Sequence, residues 1–187
     1  MYLITDYIDD PDIERSILGE PVSQDQKYQA NVLLVWHECI DEGYVAKFDE
    51  LQGVVRYGVG YDNIDLEVLS ERAIVFCNTP DYGVDEVSDT AVGMILNISR
   101  GISVYDRKSR LLTGQRWQEE RISSLTRNSD QIIGVIGAGR IGGSVCRKLK
   151  AIGFQVVFHD PYVCSGHEKM LGVGRVGSLA ELLSISD

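Results

Sequence analysis

An unbroken apolar run, Ile132-Ile133-Gly134-Val135-Ile136, leads straight into Gly137-Ala138-Gly139-Arg140-Ile141-Gly142, and this G-x-G-x-x-G constrains the fold more than any other stretch. A strand followed by glycines at this spacing sets a pyrophosphate on the N-terminus of a helix. The first glycine permits a tight turn, the second lets the backbone approach the phosphates, and the third lets the helix pack against the strand. Alone, the pattern is weak. Its context strengthens it: the next apolar run, Phe154-Gln155-Val156-Val157-Phe158-His159, ends at Asp160, 18 positions after Gly142, where the dinucleotide fingerprint places an acid about 20 residues on. A carboxylate there accepts both hydroxyls of an adenosine ribose and repels a 2′-phosphate. The expected cofactor is therefore NAD, held by Gly137, Ala138, Gly139, Arg140, Ile141, Gly142, Asp160 and Pro161. The competing reading is a glycine turn that binds nothing, with Asp160 capping a strand ahead of Pro161.

The 187 residues are 44% hydrophobic and 25% charged, a globular composition with room for one large or two small domains. A formal charge of -10 argues against nucleic acid or an anionic membrane as partner, since both are themselves negative. The first ten residues carry neither a basic n-region nor a long apolar stretch, and no run reaches the roughly 18 apolar residues of a membrane span. A cytoplasmic protein is expected. Cys39, Cys77, Cys146 and Cys164 form no C-x-x-C pair, which points to reduced thiols and not to disulfides or a metal site.

Taken in order, Tyr2-Leu3-Ile4-Thr5 reads as a first strand, with a short helix at Ile13, Ile17 and Leu18. Residues 30–36, 53–57 and 74–77 are further strands, the last stopped by Asn78-Thr79-Pro80. The loop from Gly58 to Asp65 carries two glycines ahead of a helix and leaves its amides free for an anion. His37 and Glu38 are adjacent, but neighbours on an extended backbone point to opposite sides, which argues against an acid–base pair. Residues 1 to about 83 form a first parallel α/β unit. Val84, Val87, Ala91, Ile95, Ile98, Ile102 and Tyr105 then mark one apolar stripe, predicting a single helix over 84–110 that joins two domains. Trp117 is read as a packing anchor, and residues 118–130 as a polar connection. The domains are assigned as 1–97 and 98–187.

The residues now on the page resemble the D-isomer-specific 2-hydroxyacid dehydrogenases, whose branches include phosphoglycerate dehydrogenases and C-terminal binding proteins. The resemblance rests on Arg56-Tyr57-Gly58-Val59-Gly60-Tyr61-Asp62-Asn63-Ile64-Asp65, on Cys77 to Asp89, on Gly137 to Gly142, and on His159-Asp160-Pro161-Tyr162. It implies an α/β fold: a flavodoxin-like substrate domain followed by the first part of a Rossmann NAD-binding domain, incomplete at its C-terminus. It also implies a homodimer formed through the long helix. The loop at Val59 and Gly60 would offer amides to the carboxylate of a small 2-hydroxy or 2-oxo acid, Arg56 would lie near that acid's far end, and Trp36 would belong to a substrate-side loop. The family's catalytic arginine, glutamate and histidine are expected downstream of Asp187, so no catalytic role is transferred to His37, His159 or His167.

Two functions stay open at this point. One is an NAD-dependent oxidoreductase acting on the CH–OH group of a D-2-hydroxy acid, present here as an N-terminal part that is inactive alone. The other is an NAD-sensing binding or corepressor-like protein without turnover, or an inactive remnant.

Overall fold

Short β-branched runs between turn signals become parallel strands throughout the computed structural model, which describes residues 1–6, 8, 10–111 and 122–187. The chain divides into two units, Met1–Tyr82 and Gly83–Asp187. The expected boundary at 97/98 falls inside a helix that lies wholly within the second unit. Trp117, with the rest of 112–121, lies outside the described residues.

In the first unit, β1 (Tyr2–Ile4), α1 (Asp12–Leu18), β2 (Val32–Val35), α2 (Glu42–Val45), β3 (Gly53–Arg56), α3 (Leu66–Glu71) and β4 (Val75–Asn78) follow one another. The sheet is parallel in the order β1-β2-β3-β4. The free edge of β1 carries one further contact. Met1 and Thr5 bond to β2, whereas the Tyr2 carbonyl, one residue out of phase and so facing the other edge, accepts from the Val22 amide at 2.9 Å. The segment at Val22 thus lies outside β1 without forming a strand, and among the described residues the sheet has four strands in sequence order. In open parallel sheets the crevice beyond the carboxyl ends of the strands is the ligand position. Leu33, Val35, Ile40, Val54 and Leu69 form the fully buried core. The apolar stripe of α1 buries nothing: Ile13, Ile17 and Leu18 are exposed.

The second unit contains α4 (Val84–Ser99), α5 (Ile102–Leu111), β5 (Ile132–Ile136), α6 (Arg140–Ile152), β6 (Gln155–His159), α7 (His167–Leu171), β7 (Gly174–Arg175) and α8 (Leu179–Ile185). The single helix expected over 84–110 is two helices, broken at Arg100 and Gly101. Gly101 adopts φ +61°, and a Cβ there would stand 2.8 Å from the Ile122 side chain. The Asn97 side chain then accepts from the Ser103 amide and hydroxyl, supporting the start of α5. The apolar spacing runs on through this break because periodicity registers faces, not backbone continuity. Helix α4 packs with α6: Val92 joins Val145, Cys146, Leu149 and Phe158 in one core, and Lys148 Nζ reaches Asp89 Oδ1 at 2.7 Å, Asp85 Oδ1 at 3.2 Å and Ser88 Oγ at 2.7 Å. The sheet is parallel in the order β5-β6-β7, the arrangement of a first mononucleotide-binding half. Among the described residues only β6 pairs with β5 along its length. At its other edge the Asp187 amide donates to the Ile132 carbonyl at 3.0 Å.

Candidate functional site

The glycine turn leaves β5 through Gly137, whose φ of +84° is accessible to few residues besides glycine. Its amide donates to His159 O at 2.9 Å, extending the β5–β6 ladder by one step. A Cβ on Gly142 would lie 1.9 Å from the Gly137 carbonyl oxygen, so α6 approaches the turn more closely than any side chain would permit. A Cβ on Gly139, in contrast, meets no atom within 4 Å. This is open space at the head of a helix of 13 residues, where the amides that begin α6 face outward. A close helix approach beneath and clear space above fit a dinucleotide pyrophosphate.

Asp160 follows β6 and is almost wholly buried. Its Oδ2 accepts from the Ala138 amide and its Oδ1 from the Tyr162 amide, each at 2.8 Å. The Ala138 bond is the leading cause holding the carboxyl below the ordinary aspartate range; Tyr162, Val163 and the Arg175 charge act in the same direction, and burial opposes them. Ala138 is held on both sides, because His167 Nε2 bonds its carbonyl at 2.8 Å. The capping role set against ribose binding therefore has a geometric basis, but a carboxylate has about four acceptor positions, and the amides of Ala138, Tyr162 and Val163 do not exhaust them. Arg140 and Pro161 are exposed around this turn, and Ile141 is half-buried.

In the first unit, the ends of β1, β2, β3 and β4 bring together a second set of residues. Asn78 Nδ2 donates to Val59 O at 2.9 Å, and Thr79 N donates to Gly58 O at 3.2 Å. These bonds fix the 57–65 loop by its carbonyls. Val59 and Gly60 are exposed, and among the described residues neither amide has a protein acceptor. Arg56 does not extend outward. Its Nη1 donates to the carbonyl of Tyr57, its guanidinium lies 5.9 Å from the Trp36 ring centre, and Nε is buried without a partner. Trp36 is half-buried, with His37 edge-on at 5.7 Å. His37 is exposed and forms no pair with Glu38.

Asp6 was not legible as a site residue from the sequence. Its carboxylate accepts from the amides of Trp36, His37 and Glu38, at 2.9 Å for Trp36 and 3.1 Å for Glu38. Burial alone would raise its pKa; these amides and the Thr5 hydroxyl outweigh burial and lower it. The available signal was an acid immediately after a strand, at the carboxyl end where loops diverge. Tyr57 donates its hydroxyl to Glu14 Oε1 at 2.8 Å, and burial followed by this bond pushes the phenol well above its ordinary value.

With this geometry established, comparison with known proteins is direct. Residues 92–187 match the family described as D-isomer specific 2-hydroxyacid dehydrogenase, NAD binding domain. The chain is 30% identical to C-terminal-binding protein 1 of Caenorhabditis elegans over 164 residues, covering 85% of this chain and 22% of that protein. It is 31% identical to D-3-phosphoglycerate dehydrogenase of Mycobacterium bovis over 182 residues, covering 97% of this chain and 31% of the other. Among solved structures, the NADPH-dependent glyoxylate/hydroxypyruvate reductase of Sinorhizobium meliloti in complex with citrate superposes with a TM-score of 0.78 at 26% identity, over 100% of this chain and 61% of that one. The chain thus spans less than a third of the length of these two curated relatives.

Proposed function

The chain belongs to the D-isomer specific 2-hydroxyacid dehydrogenase family, with an NAD-binding domain, and we propose that it forms the NAD-holding turn and the carboxylate-receiving loop of an oxidoreductase acting on a D-2-hydroxy acid. The observation that carries the substrate side is the loop at Val59 and Gly60: exposed, fixed by Asn78 and Thr79, with two amides that have no acceptor among the described residues. Such paired donors suit a carboxylate, which gains charge-assisted hydrogen bonds there. Trp36 and Arg56 form the adjoining wall.

NAD, when bound, supplies the hydride acceptor or donor for the C2 carbon of the acid. The amides from Gly139 to Ile141 hold the pyrophosphate, and Gly137 and Gly142 fix the turn that presents them. Ala138, anchored to Asp160, keeps the turn in register. The remaining acceptor capacity of Asp160 meets the ribose hydroxyls, with Pro161 stiffening the chain beyond, and its negative charge disfavours a 2′-phosphate. No acid–base role falls to a histidine of this chain. His159 Nδ1 is bonded to Val176 O and His167 Nε2 to Ala138 O, while His37 is exposed. Exposed Val87, Met94, Ile98 and Ile102 on α4 and α5 support self-association there. A cytoplasmic location is part of this reading; among the described residues no helix is long and apolar enough to cross a membrane.

The test is NADH oxidation by the full-length natural protein with a panel of 2-oxoacids. Turnover is expected with at least one, and bound NADH without turnover of any would overturn the proposal. A second reading, NAD-responsive binding without turnover, is supported by the identity with C-terminal-binding protein 1. It requires self-association or partner capture that rises with NAD, and indifference to NAD would exclude it.

A further inference from the structure

We propose that the acid accepted at Val59 and Gly60 carries an uncharged, apolar side chain, aromatic or branched aliphatic, and that Trp36, Tyr57 and Tyr82 select it. The inference rests on the 2-hydroxy acid reading above and deepens it. Two concavities flank the Trp36–Tyr57 pair. One, of about 220 Å³, is lined by Ile8, Glu14, Trp36 and Tyr57; the other, of about 180 Å³, by Trp36, Tyr57, Thr79 and Tyr82. Both are smaller than the roughly 300–1,000 Å³ of pockets that take whole drug-sized ligands, so each suits one side chain. Thr79 bonds the Gly58 carbonyl, which puts the smaller hollow beside the loop that would hold the carboxylate.

Two aromatic walls, Trp36 and Tyr57, are held in place. Tyr57 is tethered through its hydroxyl to Glu14 and stays a neutral phenol. Trp36 is fixed at its backbone by Asp6 and at its face by Arg56. Aromatic walls of this kind favour offset or edge contacts with another ring or a branched alkyl group.

Charge disfavours the alternative. A phosphorylated or dicarboxylic acid gains from a free cation at its far end, and the guanidinium beside Trp36, that of Arg56, is partly engaged within the chain. Arg56 donates to the Tyr57 carbonyl and faces Trp36, and two of its guanidinium nitrogens stand within 3.2 Å of where a Gly58 Cβ would be. The Glu14 carboxylate lines the larger hollow and repels a second anion.

The experiment has two arms. In the first, the full-length natural protein and NADH are assayed with 3-phenylpyruvate, 4-methyl-2-oxopentanoate, glyoxylate, 3-phosphohydroxypyruvate and oxaloacetate. The first two are expected to exceed the two charged-tail acids at least about tenfold in kcat/KM, a difference of about 1.4 kcal/mol, and Trp36→Ala is expected to lower the phenylpyruvate value far more than the glyoxylate value. A charged-tail acid as best substrate would overturn this inference while leaving the dehydrogenase reading intact; turnover of none would remove that reading instead. In the second arm, the tryptophan emission of the same protein is titrated with 3-phenyllactate and 3-phosphoglycerate beside a Trp36→Phe control, and the difference between the two reports Trp36. Saturable quenching by the first at lower concentration supports the proposal, whether or not turnover occurs; the reverse order, or no quenching by 3-phenyllactate, refutes it.

Discussion

Replacing Gly142 by alanine tests whether close approach of helix and turn builds the cofactor site. The added Cβ would sit 1.9 Å from the Gly137 carbonyl oxygen and 2.9 Å from its carbon, where real Cβ atoms essentially never come nearer than 3.0 Å. The obstacle is backbone, so no rotamer relieves it. Helix α6 must withdraw by roughly 1 Å, a large part of the ~1.5 Å rise per residue, carrying the amides that follow Gly139 away from a turn still pinned by Asp160. Alanine gains about 1 kcal/mol over glycine in a helix interior, and overpacking costs about 1–3 kcal/mol. The net is a loss of about 1 kcal/mol, or about 2–4 °C in Tm for a chain of this size. Losing one charge-assisted hydrogen bond to the pyrophosphate, worth about 1.5–3 kcal/mol, weakens NAD by tenfold or more. Gly93 in α4 is the control, because its Cβ would meet nothing within 4 Å. Gly93→Ala is expected to raise Tm by a similar amount and leave NAD affinity unchanged. Thermal unfolding and NAD titration calorimetry of both variants decide the matter. If Gly142→Ala gains stability as Gly93→Ala does and binds NAD normally, the close approach has no functional consequence.

Asp160→Ala leaves the fully buried Ala138 amide without its acceptor, an expected loss of about 1–3 kcal/mol, whereas Asp160→Asn keeps one acceptor and loses less; both shift cofactor preference from NAD towards NADP, and equal Tm values for the two variants would contradict the capping role. Stability should fall on acidification below about pH 4, the ordinary aspartate value. The pKa values of Asp6 and Asp160 are lower in the folded protein than in the unfolded chain, so their contribution is complete above that pH and disappears as pH drops through the folded values; Asp6→Asn should flatten this acid limb in a pH series of denaturant melts. Burial pushes the Cys146 thiol up to about 11, while Cys39, Cys77 and Cys164 are exposed. A disulfide reagent should accordingly titrate three thiols in the native protein and the fourth only on unfolding.

The glycine turn was legible because its requirements are local: a positive φ at Gly137, a missing Cβ at Gly142 and an acid at the end of the next strand all leave marks at fixed spacing. The alternation of strands and helices was readable for the same reason. What escaped was long-range. Arg56 was read as lying near the far end of a substrate, and spacing did not reveal its contact with Trp36, 20 positions away. The division of the long helix escaped because Gly101 interrupts the backbone without disturbing the apolar stripe. Asp6 carries no motif of its own, and only the pairing of β1 with β2 sets it against the amides of residues 36–38.

Asp6 and Asp160 solve the same problem in the two units. Where parallel strands end, the ladder stops and the loops that leave it expose unpaired amides. A carboxylate placed directly after one strand can collect amides from the loop leaving its neighbour: Asp6 after β1 takes three from the loop following β2, and Asp160 after β6 takes Ala138 from the turn following β5 as well as Tyr162 from its own loop. Charge-assisted bonds of this kind are about twice as strong as neutral ones, so each acid holds its loop at the carboxyl edge without a covering layer that would close the edge to ligands. The arrangement also explains how a chain of net charge -10 tolerates two acids beside sites meant for anions. Each carboxylate is turned inward onto backbone N–H groups, and at the Asp160 site further amides at the head of α6 face outward towards the ligand. Exchanging either aspartate for an uncharged residue should therefore loosen the adjacent loop before it alters the electrostatic attraction for the ligand, and amide hydrogen exchange at residues 36–38 and at Ala138 would register that order.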